Sequence, residues 1–376
     1  MTTGRGLSEA LAAAYPELAA VADAAPDPVY LVGGAVRDLI LGRGRADIDL
    51  VVEGEPAALA AALGAEPVVS HSRFGTMKVD WNGEELDLAA SRRERYARPG
   101  ALPTVELGAP IRTDLARRDF TINAMAIPLA DPEDLLDPYD GRPDLRAGLL
   151  RVIHDQAFVD DPTRAIRAAR YAARFGFELE KGTEALLRAT DLGSVTAERQ
   201  AEELRRLAAE PTGVKGLELL AGWGLVEPRD GGLKWAKAVD GVLGTPSWAG
   251  EVDRPDAILA AAGVLAPPDI PGGRDAVERS VALPSASPSR PSEAAALARG
   301  VDPLVLVLAR AKGAAWLDDW LRRREVTLEI TGADLIAAGL SGPAIGTALD
   351  AALAAKLDGE APTRADELRI ALERPR

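Results

Sequence analysis

The sequence predicts an α+β protein in which an α/β N-terminal third is followed by a helical remainder. Three observations carry this reading. Strand-like apolar runs alternate with helical patterns up to about residue 150, and Ala, Leu and Arg recur at helical spacing from Asp155 onward with almost no strand candidates. The third is size: 376 residues with 47% hydrophobic content exceed what a single core ordinarily holds, so several structural units are expected.

Taken in order, "PVYLVGG" is a strand running into a glycine turn, and "DIDLVVEG" is a second strand. "EPAALAAALG" opens with proline and closes with glycine, the asymmetry of a short helix. "TMKVDW" and "EELDLAA" alternate in polarity on either side of Asn82-Gly83, which predicts a tight hairpin. Helix breaks are expected at "EPTG" (Glu210–Gly213) and "LAPPDIPGG" (Leu265–Gly273), and a linker or loop at the Pro/Ser-rich Leu283–Ser292. A last segment, "ITGADLIAAGLSGPAIGTALDAALAAKLDG", holds two short helical patterns separated by a Gly-Pro turn. No internal repeat stands out.

Composition narrows the chemistry. The chain has no cysteine and only two histidines, His71 and His154, so disulfides, thiolate sites and histidine-rich centres are excluded. Any metal must be a hard cation held by carboxylate oxygens, with magnesium the natural choice. No run of about 18 apolar residues occurs and "MTTGRGLSEA" lacks a secretory layout, so membrane insertion and export are not expected and a cytoplasmic location is. A net charge of −14 argues against a phosphate-rich partner until its distribution is considered. Arginines cluster at 92–98, 112–118 and 164–174, and an RNA partner would require them to form a basic track.

The segment "LVGGAVRDLILGRGRADIDLVVEG" (Leu31–Gly54) carries the first constellation. Residues two apart on a strand project to one face, so Asp47 and Asp49 are expected side by side, where only a shared cation or a retained proton relieves their repulsion. Gly33 and Gly34 permit a tight turn, and the helix that follows aims its free N–H groups at whatever lies above the sheet. A triphosphate suits that place. Arg37, one turn in, is positioned for a charge-assisted phosphate contact, with Asp38 pairing locally.

A second constellation, "RRDFTINAMA" (Arg117–Ala126), gathers Arg118, Asp119 and Asn123 around an apolar turn, an arrangement suited to holding phosphate and ribose. A capped helix start at Asp119 or Thr121 is compatible with it. The third, "DDPTRAIRAARYAARFGF" (Asp160–Phe177), reads as a helix with Asp161, Arg164, Arg167, Arg170 and Arg174 on one half and small apolar residues on the other. A carboxylate such as Asp161 accepts from the exocyclic amine of cytosine or adenine, and a guanidinium such as that of Arg164 donates to ring acceptors.

The order of "GGAVRD", "DIDLVV", "RRDFTINAMA", "DPYDG" and "DDPTRAIRAARYAARFGF" resembles that of class II tRNA nucleotidyltransferases and bacterial poly(A) polymerases, within the DNA polymerase β-like nucleotidyltransferase superfamily. The resemblance is close from Leu31 to about Leu207 and returns in the last segment. It implies a nucleotidyltransferase head with a mixed sheet over residues 1–150, a helical base-selecting neck over 151–210, a helical body over 211–290 and an RNA-binding helical tail over 291–376. By this resemblance Asp47 and Asp49 are the catalytic, Mg2+-binding carboxylates, and Asp87 in "ELDLAA", on a neighbouring strand, is the candidate for a third. Gly33, Gly34, Arg37, Arg118, Asp119 and Asn123 attend the nucleotide, and Asp161, Arg164, Arg167 and Arg170 the incoming base. "AERQAEELRRL" is similar to the last neck motif, in which Arg199 and Glu203 would brace the pocket.

The implied partners are CTP, ATP and the 3′ end of tRNA, with pyrophosphate released. One departure is that Asp160-Asp161 stands where the family often has Glu-Asp. Enzymes that add only A, only CC or poly(A) would share these motifs, and a catalytically inactive RNA-binding relative would be expected to lose an aspartate. Without histidine pairs, the phosphohydrolase domain fused to some relatives is not expected here.

Overall fold

The computed structural model describes residues 6–71, 75–264 and 273–373, and their contacts separate them into two compact units. The first comprises the residues up to Glu203 together with Glu210–Leu225; the second comprises Leu204–Ala209 and the residues from Val226 onward. The expected helix break at Leu265–Gly273 lies outside the described residues except for Gly273, as do the first five residues.

In the first unit, helices α1 (Leu7–Ala14) and α2 (Leu18–Ala24) precede strand β1 (Val29–Val32), helix α3 (Gly34–Leu41), strand β2 (Ile48–Val52) and helix α4 (Pro56–Leu63). Proline at the start and Gly64 at φ +65° bound α4 as its sequence requires. Strands β3 (Glu66–His71), β4 (Thr76–Trp81) and β5 (Glu84–Ala90) follow. The predicted hairpin joins β4 to β5, pairing Trp81 with Glu84, with Asn82 and Gly83 both at positive φ as a type I′ turn demands.

After these come β6 (Arg92–Arg95), β7 (Thr104–Leu107), α5 (Ile111–Ala116) and β8 (Ala126–Pro128). The sheet order is β3-β4-β5-β2-β1-β8, with β2 and β5 parallel and the other neighbours antiparallel. It is therefore a mixed sheet, as the resemblance implies.

Period-two alternation divides the sheet chemically. Leu31, Ile48, Leu50, Leu86 and Leu88 point into the main core with residues of α3 and α4. On the opposite face Val32 and Val51 pack against Ile111 and Leu115 of α5, leaving room toward β4 and β5 for polar side chains.

The rest of the unit is helical: α6 (Gly141–Ala147), α7 (Ala157–Asp160), α8 (Thr163–Phe175), α9 (Lys181–Arg188), the start of α10 (Ala197–Ala209), and α11 (Gly213–Gly222). The one addition is a two-residue strand, Glu178–Leu179, parallel to Leu149–Leu150. The second unit is helical throughout its described residues. Buried alanines and leucines of the helices Gly232–Leu243, Arg254–Ala262 and Pro303–Lys312 fill one part of it. Ile330, Leu335, Ala348, Ala352 and Ala371 fill another, so the predicted helix pair around Gly342-Pro343 is present. Among the described residues no helix is long and apolar enough to cross a membrane.

Candidate active site

The polar face of the sheet carries a cavity of about 420 Å³ walled by Asp49, Asp87, Thr76, Lys78, Val69, Met77, Arg117 and Arg118 among others. Asp49 and Asp87 are direct register partners on the parallel strands β2 and β5. Burial, then the charges of Asp87 and Asp47, push the Asp49 carboxyl up to about 6, with Arg118 and Lys78 opposing. Asp47 is exposed, stands one residue before β2 and is not among the residues that wall the cavity, so its link to Asp49 is through charge and not through a shared strand face.

The donors fit a hard divalent cation. All are oxygens, and a cation would remove the repulsion that now raises the Asp49 carboxyl. No cluster of three or more metal-ligating side chains converges among the described residues. Two carboxylates with substrate phosphates and water completing the shell is the arrangement magnesium favours.

The glycine turn abuts this cavity. Gly33 sits at φ +65°, a conformation that favours glycine, and a Cβ added there would lie 2.7 Å from Arg118 Nη1 and displace the guanidinium. Arg118 Nη2 donates to Asp114 Oδ2 at 3.2 Å and Nη1 to the Asn123 carbonyl at 3.4 Å, while Nε is buried without a partner. Burial lowers the Arg118 pKa, with Asp114 opposing. Arg117 is held by Asp114 at 2.7 Å and by Glu94 at 3.3 Å. The fully buried Asp114 thus anchors both arginines.

Arg37 is buried and committed within the protein. Its Nε and Nη2 donate to Asp38 at 2.8 and 3.0 Å and its Nη1 donates to Asn123 Oδ1 at 2.7 Å, with the guanidinium 4.5 Å over the Phe175 ring. Asp38 pairs locally as expected. Asn123 closes a short 3-10 turn, Thr121–Asn123, and its amide donates to Asp119 Oδ1 at 2.9 Å. Arg167 donates from Nε and Nη2 to Asp119 Oδ2 at 2.8 and 2.6 Å. Burial alone would raise the Asp119 carboxyl, but Arg167 and Asn123 hold it at about 2. The capped start expected at Asp119 or Thr121 is not formed: Asp119 instead accepts from the Phe120 N–H.

Asp161 lies between α7 and α8, so the continuous helix expected from Asp160 is two helices with a break at Asp161-Pro162. Its Oδ1 accepts from Thr163 Oγ1 at 2.7 Å and from Arg199 Nη2 at 3.0 Å. Oδ2 has no hydrogen-bond partner among the described residues. Arg164 is buried, its guanidinium oriented by the carbonyls of Arg117 at 2.6 Å and Ala157 at 3.3 Å. The charged half of α8 therefore faces protein as much as solvent: Arg170 pairs with Glu203 at 3.6 Å and Arg174 with Glu210 at 3.4 Å. In the clusters at 92–98 and 112–118 carboxylates are shared, Arg93 and Arg95 both pairing with Glu106 across β6 and β7 and Arg117 and Arg118 both with Asp114, so each cluster keeps an excess of positive charge.

Sequence reading missed Asp114, Glu94, Tyr171 and Phe175. Only the aromatic pair left a signal, since its i, i+4 spacing marks one flank of the arginine helix.

A mixed sheet with a glycine turn and facing aspartates above a nucleotide-sized cavity defines a nucleotidyltransferase head, and residues 29–151 match the poly A polymerase head domain family. The chain belongs to the class II tRNA nucleotidyltransferase family: it is 36% identical to the CC-adding tRNA nucleotidyltransferase of Deinococcus radiodurans over 93% of this chain and 90% of that one. It is 44% identical to the A-adding enzyme of Halalkalibacterium halodurans over 51% of this chain and 48% of the relative. It is 33% identical to that of Geobacter sulfurreducens over 98% of this chain and 47% of the relative. The chain thus spans about half the length of these A-adding relatives. Among solved structures, a CCA-adding enzyme matches with a TM-score of 0.80 at 29% identity, covering 98% of this chain and 99% of the other. The Thermotoga maritima CCA-adding enzyme complexed with tRNA matches at 0.74 and 28%, covering 98% of each chain.

Proposed function

We propose that this chain adds C and A residues to the 3′ end of tRNA from CTP and ATP, releasing pyrophosphate, in the cytoplasm. One observation carries the reading: Asp49, Asp87 and the half-satisfied Arg118 share a single cavity beside the Gly33 turn. In this reading Asp47 and Asp49 hold Mg2+, which when bound supplies Lewis-acid activation of the 3′ hydroxyl and steadies the departing pyrophosphate.

The protein's own groups do the rest. Gly33 and the Gly34 end of α3 admit the triphosphate close to backbone N–H groups, and the Arg118 guanidinium in the cavity wall supplies positive charge beside it. Asp161 accepts from the base's exocyclic amine through Oδ2, held still by Thr163 and Arg199. Arg164 presents its remaining donors to ring acceptors, its plane fixed by two carbonyls. Together they favour cytosine and adenine, which carry an amino group where uracil and guanine carry a carbonyl oxygen. Arg37, Asn123, Asp119 and Arg167 keep these two ends in register, with Arg170 and Glu203 behind them. The division of labour follows: residues 1–150 for chemistry, 151–210 for base selection, 211–290 and 291–376 for RNA.

Relatives similar over nearly all of this chain are named for A addition and for CC addition, so the order of additions is the point to test. tRNAs ending before CCA and after CC are each incubated with the protein and CTP alone, ATP alone, or both. The proposal expects CC from CTP and a single terminal A only once CC is present. Addition confined to one nucleotide, or an extended run of A, would replace it with the narrower or poly(A)-forming activity.

A further inference from the structure

A row of charge crosses three neighbouring strands on the cavity wall: Lys78 on β4 faces Asp87 on β5, and Asp87 faces Asp49 on β2. Lys78 Nζ lies 3.6 Å from Asp87 Oδ2 and 2.5 Å from Glu85 Oε1. Glu85 and Asp87 are two apart on one strand, so a small swing of the lysine exchanges one carboxylate for the other.

The residue type is informative. Only seven of the 44 basic residues are lysine, and Lys78 is the sole lysine before Lys181. An arginine here would lock a planar fork onto its partners, whereas an ammonium is a compact charge on a flexible stem. The other cations of the wall, Arg117 and Arg118, are both tied to Asp114. Lys78 alone among them divides its charge between two carboxylates of one strand, Glu85 and Asp87.

We propose that Lys78 is a positioning residue for the carboxylate row: it neutralises Asp87 in the resting protein and releases it, moving wholly onto Glu85, when a divalent cation enters with the nucleotide. The proposal rests on reading the cavity as the metal and triphosphate site. Lys78 then does two things. It stabilises the resting row against its own repulsion, and it competes with a bare cation, so that loading is weak until a triphosphate contributes its own oxygens.

The test is a titration of the full-length protein with Mg2+ alone, without nucleotide or RNA, read as the shift in thermal unfolding midpoint. Lys78→Met is expected to unfold at lower temperature without metal and to reach half-saturation at about two- to fivefold lower Mg2+, the scale of a solvent-exposed ion pair. Lys78→Gln serves as a second neutral variant, and Lys78→Arg is expected to keep or raise the wild-type midpoint. A neutral variant with an unchanged or higher half-saturation overturns the proposal, because a merely structural lysine would weaken binding or leave it alone. Asp49→Asn separates the two layers of inference. If it responds to Mg2+ as wild type does, the cavity reading itself fails; if it loses the response while Lys78→Met stays at the wild-type midpoint, only the role of Lys78 fails.

Discussion

Arg167 directs two guanidinium N–H groups at a single oxygen of the buried Asp119, and this pair fastens helix α8 to the turn that follows α5. Removing Arg167 strands the Asp119 carboxylate without its counter-charge in a buried site. Arg167→Met is expected to destabilise the first unit by about 3–5 kcal/mol. In urea unfolding, Asp119→Asn combined with Arg167→Met should cost clearly less than the sum of the single changes, and strict additivity would refute the coupling.

The same pair sets an acid limit. The Asp119 carboxyl is held at about 2 against an ordinary 3.8, so the unfolded chain binds its proton first as pH falls. The contribution of roughly 2 kcal/mol is whole above pH 4 and is lost as pH falls from about 4 through 2. Stability of wild type and Asp119→Asn measured at pH 5 and pH 2.5 should converge at the lower value.

Asp49 has the opposite sign. Its carboxyl is raised to about 6, so the folded protein holds the proton more tightly, and stability falls as pH rises from about 4 through 6. Asp49→Asn removes that penalty. In metal-free buffer at pH 7.5 the variant should be more stable than wild type, by at most about 3 kcal/mol. The gain should vanish at pH 4, and nucleotide addition should be lost at every pH.

Adjacent glycines should behave differently. Gly33→Ala meets both a positive φ and the Arg118 guanidinium, and is expected to cost about 1–2 kcal/mol and to raise the KM for nucleotide. Gly34→Ala, whose added Cβ would meet only Arg37 Nη2 at 3.5 Å, should stay within about 0.5 kcal/mol of wild type. Equal effects of the two would show that the turn does not depend on Gly33.

Much of the sheet was legible because its signals are local. The Asn82-Gly83 hairpin, the proline and glycine ends of α4 and the strand carrying Asp49 all follow from a few consecutive residues. Strands β3, β6, β7 and β8 were not anticipated, since short segments such as "RRER" gain a strand conformation only from their partners. The arginines of α8 were legible as a face but not in their orientation. Asp119, Asp38 and Glu203 draw that face inward, and no periodicity reports a carboxylate tens of residues away. Lys78 was silent for the same reason, its meaning arising only where β4 meets β5.

The hydrogen bonds from Asp38 through Arg37, Asn123 and Asp119 to Arg167 use each link's polar atoms on the next. Five positions spread over 130 residues of chain are thereby bound to a common fate in evolution. A change at one of them strands its neighbour, so surviving lineages should carry these residues as a set or replace them as a set.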